Sequence, residues 1–432
     1  MTTASSAHAL AARLRAARER TLTFASDLTG ARMLGPRLAI VNPPLWEIAH
    51  VGWFQEYWCL RWRNENDFAP SLVPAADALY NSALVAHDTR WSLPLLPFDA
   101  MLRFLDEVLN RVLDRLQREP DNTTLRYFAE LAAAHEEMHC EAFTYTRQTH
   151  GYAAPDGGNK NVPDGGAFPG DVAIPGGAYL LGAARGDAFV FDNEKWEHEV
   201  ALKPFEIARA AVSNQEFAEF VDHNGYARRE LWCDEGWQWR CGANAEAPLY
   251  WIKEAGGWQH CVYDKVVALP PGAAVIHINW YEADAWCRWA GRRLPSEAEW
   301  EQAAATSPHD ALGTNGKRVY PWGTSAPDHT HANLHGVIGA VAPVSSFAPG
   351  DSARGCRQML GNVWEWTAGW FNPYPGFECD PYKEYSEPWF GNHKVLRGGC
   401  YATTAELLRT TWRNFYTPDR RDVFAGFRTC AA

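Results

Sequence analysis

No stretch of the chain reaches 18 uninterrupted apolar residues, so no membrane-spanning helix is expected. Residues 1–12 carry no basic region followed by an apolar run, so no secretory leader is expected. None of the ten cysteines (Cys59, Cys140, Cys233, Cys241, Cys261, Cys287, Cys356, Cys379, Cys400 and Cys430) falls in a CxxC pair. Scattered in this way, they read as reduced thiols of a cytoplasmic protein. Positive charge is in the minority. Forty Lys and Arg against 52 Asp and Glu leave a net charge of −12, which argues against a nucleic-acid or anionic-membrane partner. Charged residues make up only 21% and hydrophobic ones 47%, a balance that excludes wholesale disorder.

What the chain does have is length and aromatic rings. At 432 residues it suits two or three domains. Its 21 Trp, 16 Tyr and 20 Phe need a large irregular core, an aromatic-lined pocket, or both.

The first 150 residues predict four long helices, over 9–27, 44–63, 99–116 and from a cap at Asp121-Asn122-Thr123 to about 149. The third is plainly amphipathic, with Met101, Leu105, Val108, Val112 and Leu116 on one face. Helices of this length suggest a bundle. Residues 151–170 hold six Gly and three Pro, a linker composition. Beyond them lie 16 of the 21 Trp, short strand-like runs and many turns. Helices are expected there over 213–224, over 280–290 and from Pro295-Ser296 onward, the last favoured by Glu297 and Glu299 in its first turn. The fold class expected is α+β, in three parts: a bundle over 1–150, a linker over 151–170 and a second domain over 171–432.

The fourth helix carries His135-Glu136-Glu137-Met138-His139. Residues four apart share a helix face, so both imidazoles can bind one metal. The pattern also fits the HExxH of zinc metallohydrolases, although no downstream third ligand of that type follows. Upstream, His50 lies on the second helix between Trp46, Trp53 and Phe54. It is the favoured third ligand, with His87, in the loop-like stretch 80–93, as its rival. Three neutral imidazoles leave other positions on the metal open. That suits a redox-active iron as well as zinc, and the residue types do not choose between them.

Three stretches together carry a resemblance. They are Pro43-Pro44-Leu45-Trp46-Glu47-Ile48-Ala49-His50; His135 to Ala142; and a C-terminal set that includes Arg293-Leu294-Pro295-Ser296-Glu297, Gly361-Asn362-Val363-Trp364-Glu365-Trp366, Arg397-Gly398-Gly399 and Gly426-Phe427-Arg428. The chain resembles the nonheme-iron sulfoxide synthases of ergothioneine and ovothiol biosynthesis. That resemblance implies a DinB-like four-helix bundle followed by a C-type-lectin-like domain of the formylglycine-generating-enzyme type. It also implies Fe(II) on His50, His135 and His139. The implied substrates are hercynine (trimethylhistidine), O2 and a sulfur or selenium donor, joined at the imidazole C2 carbon. Part of the aromatic surplus would then face the quaternary ammonium of hercynine. Formylglycine-generating enzymes carry a late cysteine pair; residues 401–427 contain none, so their own chemistry is not expected.

Within the family, Asn414-Phe415-Tyr416 through Arg420 resembles a substrate-binding loop, with Asn414 implied at hercynine and Arg420 at the donor. Gln55 is implied at the hercynine carboxylate, and Tyr374 as proton donor, with Tyr382 and Tyr385 as rivals. Enzymes that use γ-glutamylcysteine are expected to carry an Asp where Tyr416 stands, paired arginines where only Arg90 remains, and a Gln where Met138 stands. An α-amino-acid donor brings charges that need partners, so these departures favour a neutral donor. They are similar to the selenoneine synthases, which use a selenosugar. Asn81, Ser82, His87, Asp88 and Tyr416 can hydrogen-bond sugar hydroxyls, and Trp91 can stack on the ring. The implied product is a selenoxide that loses its sugar to give selenoneine. The alternatives are a hercynine sulfoxide synthase using cysteine or γ-glutamylcysteine, and a zinc metallohydrolase built on His135 to His139.

Overall fold

The Ser6 hydroxyl accepts from the Ala9 amide at 3.2 Å and so starts helix α1 (Ala7–Ala25), whose Leu10, Leu14 and Ala17 turn inward. The computed structural model describes residues 6–155, 162–186, 189–308 and 316–432. The chain divides into two compact units, Met1–Gly157 with Gly186–Phe189, and Gly158–Arg185 with Val190–Ala432.

In the first unit α2 (Pro44–Glu56) opens with Pro at its first position and buries nearly every side chain. Helix α2 was expected to run to residue 63. Instead it ends at Glu56, and Tyr57–Arg61 winds one wider π-turn. That turn delivers Arg61 to Asp77, with Nη1 and Nη2 at 2.7 and 2.8 Å from its carboxylate oxygens. A short hairpin follows, β1 (Trp62–Asn64) and β2 (Asp67–Phe68), then the single turn of α3 (Ala76–Tyr80). Helix α4 (Phe98–Arg118) shows the predicted apolar face. Helix α5 (Thr123–His150) is capped by Asn122, whose Oδ1 accepts from the Leu125 amide at 2.9 Å, and stops at Gly151 in the left-handed region. Helix α1 packs on α5, and α2 lies against both α4 and α5. Gly52 makes the α2–α4 approach possible: a Cβ there would sit 2.3 Å from Leu105 Cδ2.

The second unit is mixed. Its strands are β3 (Asp171–Ile174), β4 (Gly177–Leu181), β5 (His198–Leu202), β6 (Phe205–Ala208), β7 (Trp251–Glu254), β8 (Gly257–Val262), β9 (Lys265–Ala268), β10 (Arg292–Arg293), β11 (Trp364–Trp370), β12 (Lys394–Arg397), β13 (Asn414–Tyr416), β14 (Ala425–Gly426) and β15 (Cys430–Ala431). Two four-stranded sheets, in the orders β10-β15-β6-β3 and β13-β12-β11-β14, form its frame. The expected helices appear as α6 (Asn214–Asp222), α8 (Trp280–Trp289) and α9 (Glu297–Ala305), each with a capping box from Ser213, Asn279 or Ser296. Between α6 and α8 lies a helix the sequence did not reveal, α7 (Asp234–Gly242). It buries only Gly236, so it leaves no apolar stripe to read. Residues 162–170, read as linker, lie against this unit: the Gly166 amide donates to Ser345 Oγ at 3.0 Å.

The core of the second unit is held by buried ion pairs. Arg397, Arg413 and Arg428 are almost completely buried. Glu297 receives Arg397 and Arg413 at 2.9 and 2.7 Å, and Glu365 holds Arg428 at 2.6 Å. Buried charges persist where they are paired in this way. Among the described residues no helix is long and apolar enough to cross a membrane.

Candidate metal centre

Helices α2 and α5 bring His50, His135 and His139 together. One ring nitrogen from each lies within 4.8 Å of the others. The ring centroids are 5.0 Å apart for His50 and His135, 5.1 Å for His50 and His139, and 4.5 Å for His135 and His139. His50 and His135 are buried, and His139 is partly open.

Neighbouring rings and acceptors set the orientation of these imidazoles. Trp46 stacks on His50 at 4.9 Å, and Phe54 stacks on His135 at 3.6 Å. Trp46 and Phe54 sit four residues before and after His50, so α2 lays both indole and phenyl along the face that holds the ligand. His50 Nδ1 lies 2.7 Å from the Tyr80 carbonyl. A carbonyl only accepts, so this nitrogen carries the proton and Nε2 keeps its lone pair. His139 Nδ1 lies 2.6 Å from Glu47 Oε1, an acceptor, so this nitrogen carries a proton as well. Burial holds His50 and His135 well below the ordinary histidine range, and the other imidazoles of the cluster push the same way. Neutral rings with free lone pairs are what a divalent metal needs, so the donor set fits the expected ion.

Glu136 is engaged elsewhere. Arg18 donates to it through Nε at 2.8 Å and Nη2 at 3.2 Å, and both side chains are buried. The HExxH reading needs this carboxylate as a general base on a metal-bound water. A carboxylate clamped by a guanidinium is a poor base. Arg18 also donates to Gln55 Oε1 at 3.0 Å, so Gln55 belongs to the same buried network.

The segment between α3 and α4 is a loop with one tight turn, His87–Thr89. His87 Nε2 is 2.9 Å from the Val41 carbonyl, and His87 is not part of the three-histidine cluster. Trp91 Nε1 donates to the Leu34 carbonyl at 3.1 Å. Asp88 pairs with Arg37 on the surface. Asn81 Oδ1 accepts from the Ala83 amide at 2.9 Å. Arg90 is buried, with its guanidinium 3.9 Å above the Trp46 ring. Its Nη1 donates to Asn42 Oδ1 at 2.6 Å and its Nη2 to the Val85 carbonyl at 3.1 Å. It makes no ion pair among the described residues. Met138 is half-buried on α5.

In the second unit, Asn414, Phe415 and Tyr416 form β13 opposite Leu396, Val395 and Lys394. Asn414 Oδ1 accepts from the Phe415 amide at 2.8 Å, and Phe415 stacks on Phe371 at 4.0 Å. Arg420 is bound to Asp422 at 2.6 and 2.9 Å and lies 5.1 Å from the Tyr416 ring. Tyr374 is buried, and its hydroxyl donates to Glu297 at 3.3 Å. Burial pushes this phenol well above its ordinary range, and the nearby Arg413 guanidinium only partly opposes the shift.

Sequence reasoning missed Glu47 and Arg18. Glu47 stands three residues before His50, on the same helix face, and that spacing was a usable clue. Arg18 sits in the apolar stripe of α1, where a buried arginine calls for a buried anion.

Residues 13–143 match the DinB superfamily, and residues 159–432 match the sulfatase-modifying factor enzyme 1-like domain. The hercynine oxygenase of Mycolicibacterium thermoresistibile is 37% identical over 428 residues, covering 97% of this chain and 94% of that protein. The chain belongs to the hercynine oxygenase family. A second family member, from Mycolicibacterium smegmatis, is 35% identical over 431 residues and 97% of each chain. The formylglycine-generating enzyme of Thermomonospora curvata is 34% identical over 295 residues, which cover 61% of this chain and 93% of that enzyme. The hercynine oxygenase family thus pairs the two domain types read from the sequence, and the resemblance to the ergothioneine-type sulfoxide synthases is borne out.

Proposed function

We propose that this chain is an Fe(II)-dependent oxygenase that joins the imidazole C2 of hercynine to a neutral selenosugar. The observation that carries the oxygenase reading is the cluster of His50, His135 and His139 in a chain of this family. Iron(II), when bound, supplies coordination sites for the substrates and the redox chemistry with O2. The balance is one hercynine C2–H, one Se–H and one O2 giving a C–Se bond, a selenoxide oxygen and one water. Two electrons come from forming the C–Se bond and two from oxidising selenium.

The chain's own residues bind and orient. His50 and His139 present fixed tautomers, held by the Tyr80 carbonyl and Glu47. Gln55 has its carbonyl on Arg18, and its buried amide nitrogen has no protein acceptor among the described residues, which leaves that nitrogen for the hercynine carboxylate. Asn414 and Phe415 are assigned to hercynine as well. Tyr374 is assigned as the proton donor; burial keeps it protonated, and delivery requires its hydroxyl to leave Glu297.

The donor assignment rests on cations that are already occupied. Arg90 is spent on Asn42, a carbonyl and the Trp46 face, and Arg420 on Asp422. An amino-acid donor would have to displace one of them, whereas a sugar asks for hydroxyl partners such as Asn81, His87 and Tyr416. Met138 offers no amide hydrogen bond beside His139.

The test is a competition. Protein loaded with Fe(II) without oxygen receives hercynine, O2 and equal amounts of selenoglucose, thioglucose, cysteine and γ-glutamylcysteine, and products are read by mass spectrometry. The expected outcome is a dominant hercynine–selenosugar adduct or selenoneine. A dominant cysteine-derived sulfoxide would reassign the donor to the ergothioneine type. No adduct and no O2 uptake would overturn the oxygenase reading, as would a His135→Ala variant that retained full metal content and turnover.

A further inference from the structure

Helix α2 places Trp46, Glu47 and His50 on one side, at helical spacings of three and four. Glu47 is 1% exposed. The single hydrogen bond to its carboxylate among the described residues is the one from His139 Nδ1, at 2.6 Å. Two other buried carboxylates of this unit are better supplied. Glu56 accepts from Ser71 Oγ at 2.7 Å and the Leu72 amide at 2.6 Å, and Glu136 receives two bonds from Arg18. A buried carboxylate needs compensation, and a single N–H partner is a thin supply. A cation on the far nitrogen of His139 would supply positive charge one imidazole away. Burial lowers the Arg90 guanidinium to about 10, and the charge of Glu47 partly opposes that shift.

The three histidines are therefore not equivalent. His50 leans on a neutral carbonyl, at 2.7 Å, and His139 on a carboxylate. We infer that Glu47 is a positioning residue for the metal. It fixes His139 as the Nδ1–H tautomer with Nε2 toward the ion, and it sets a negative charge one imidazole away from it. The protein gains most of the electrostatic effect of a carboxylate ligand while every coordinating atom stays a neutral nitrogen. This inference rests on the three-histidine metal reading.

The test compares the full-length wild type with Glu47→Gln, which keeps size and shape and removes the charge. Fe(II) affinity is measured without oxygen by chelator competition, and the Co(II)-substituted protein supplies a visible spectrum of the ligand field. The expected result is affinity weakened about 10- to 100-fold with a shifted Co(II) spectrum. In a His139→Ala background, Glu47→Gln should have no further effect. Wild-type affinity and spectrum in Glu47→Gln would overturn the inference, as would a penalty that persists undiminished in the His139→Ala background. If circular dichroism shows that metal-free Glu47→Gln does not fold, Glu47→Asp takes its place. It retains the charge but withdraws it by one methylene. Weakened binding would support the inference, and wild-type affinity would overturn it. Wild-type protein that binds no metal at all would instead overturn the metal reading itself.

Discussion

Arg18 and Glu136 form a two-point ion pair in the interior of the helical unit, directly behind the first α5 histidine. This pair separates two readings of the same five residues. In a hydrolase, Glu136 works on water; here it anchors α1 to α5. Glu136→Gln leaves the Arg18 charge buried and half-satisfied. It should cost about 3–5 kcal/mol of stability, seen as an earlier unfolding midpoint in urea. A catalytic base would behave the other way, with an unchanged midpoint and a lost hydrolytic activity.

Donor choice should respond to a single position. Tyr416 stands where amino-acid-using relatives are expected to carry an Asp. Tyr416→Asp should improve kcat/KM for γ-glutamylcysteine about tenfold relative to the sugar donor, equivalent to about 1.4 kcal/mol. Steady-state assays with each donor alone would check this. An unchanged ratio would remove Tyr416 from the donor site.

Tyr374→Phe distinguishes two roles for one hydroxyl. Glu297 keeps Arg397 and Arg413 without it, so the loss of one 3.3 Å bond should cost only about 1 kcal/mol of stability. Turnover should fall by about 100-fold or more if the phenol delivers a proton. Normal turnover with a lowered melting temperature would mark it as purely structural.

Asp192 gives a pH dependence of unusual sign. It is buried, accepts from Ser386 and the Asp380 amide, and burial pushes it up to about 6 from an ordinary 3.8. Between those values the folded chain holds a proton that the unfolded chain releases. Stability from this group is therefore present below about pH 4 and is lost as pH rises through about 6. The total is about 3 kcal/mol. Asp192→Asn, which cannot ionise, should show a stability advantage over wild type that grows across this window. Chemical denaturation at several pH values would measure it, and a constant difference would refute it.

The legible parts of this protein were those written in local sequence. Asn122, Ser213 and Ser296 announce helix starts, and Gly151 and Gly291 lie just past helix ends because the left-handed backbone there suits glycine. The histidine cluster was readable because two of its members are four apart and the third lies in an otherwise apolar helix. What escaped was tertiary. The Arg18–Glu136 pair joins residues 118 apart, and the Tyr374 hydroxyl meets Glu297 across 77. No spacing rule links such positions. The early end of α2 escaped because the apolar pattern continues through the π-turn, where Trp58 and Cys59 are still buried. Glu47 escaped for another reason: a glutamate in the first turn of a helix is already accounted for by the helix dipole.

Arg90 ties down the segment between α3 and α4 at several points at once, through the Ser82 and Val85 carbonyls, Asn42 and the Trp46 ring. The exposed side chains within that segment, Ser82, Leu84 and Asp88 among them, can be exchanged without loosening its ends. If this stretch contacts the donor, as proposed, a lineage could vary its exposed side chains over many generations while the histidine cluster stayed undisturbed. On this view the clamp makes substrate preference evolvable separately from the chemistry.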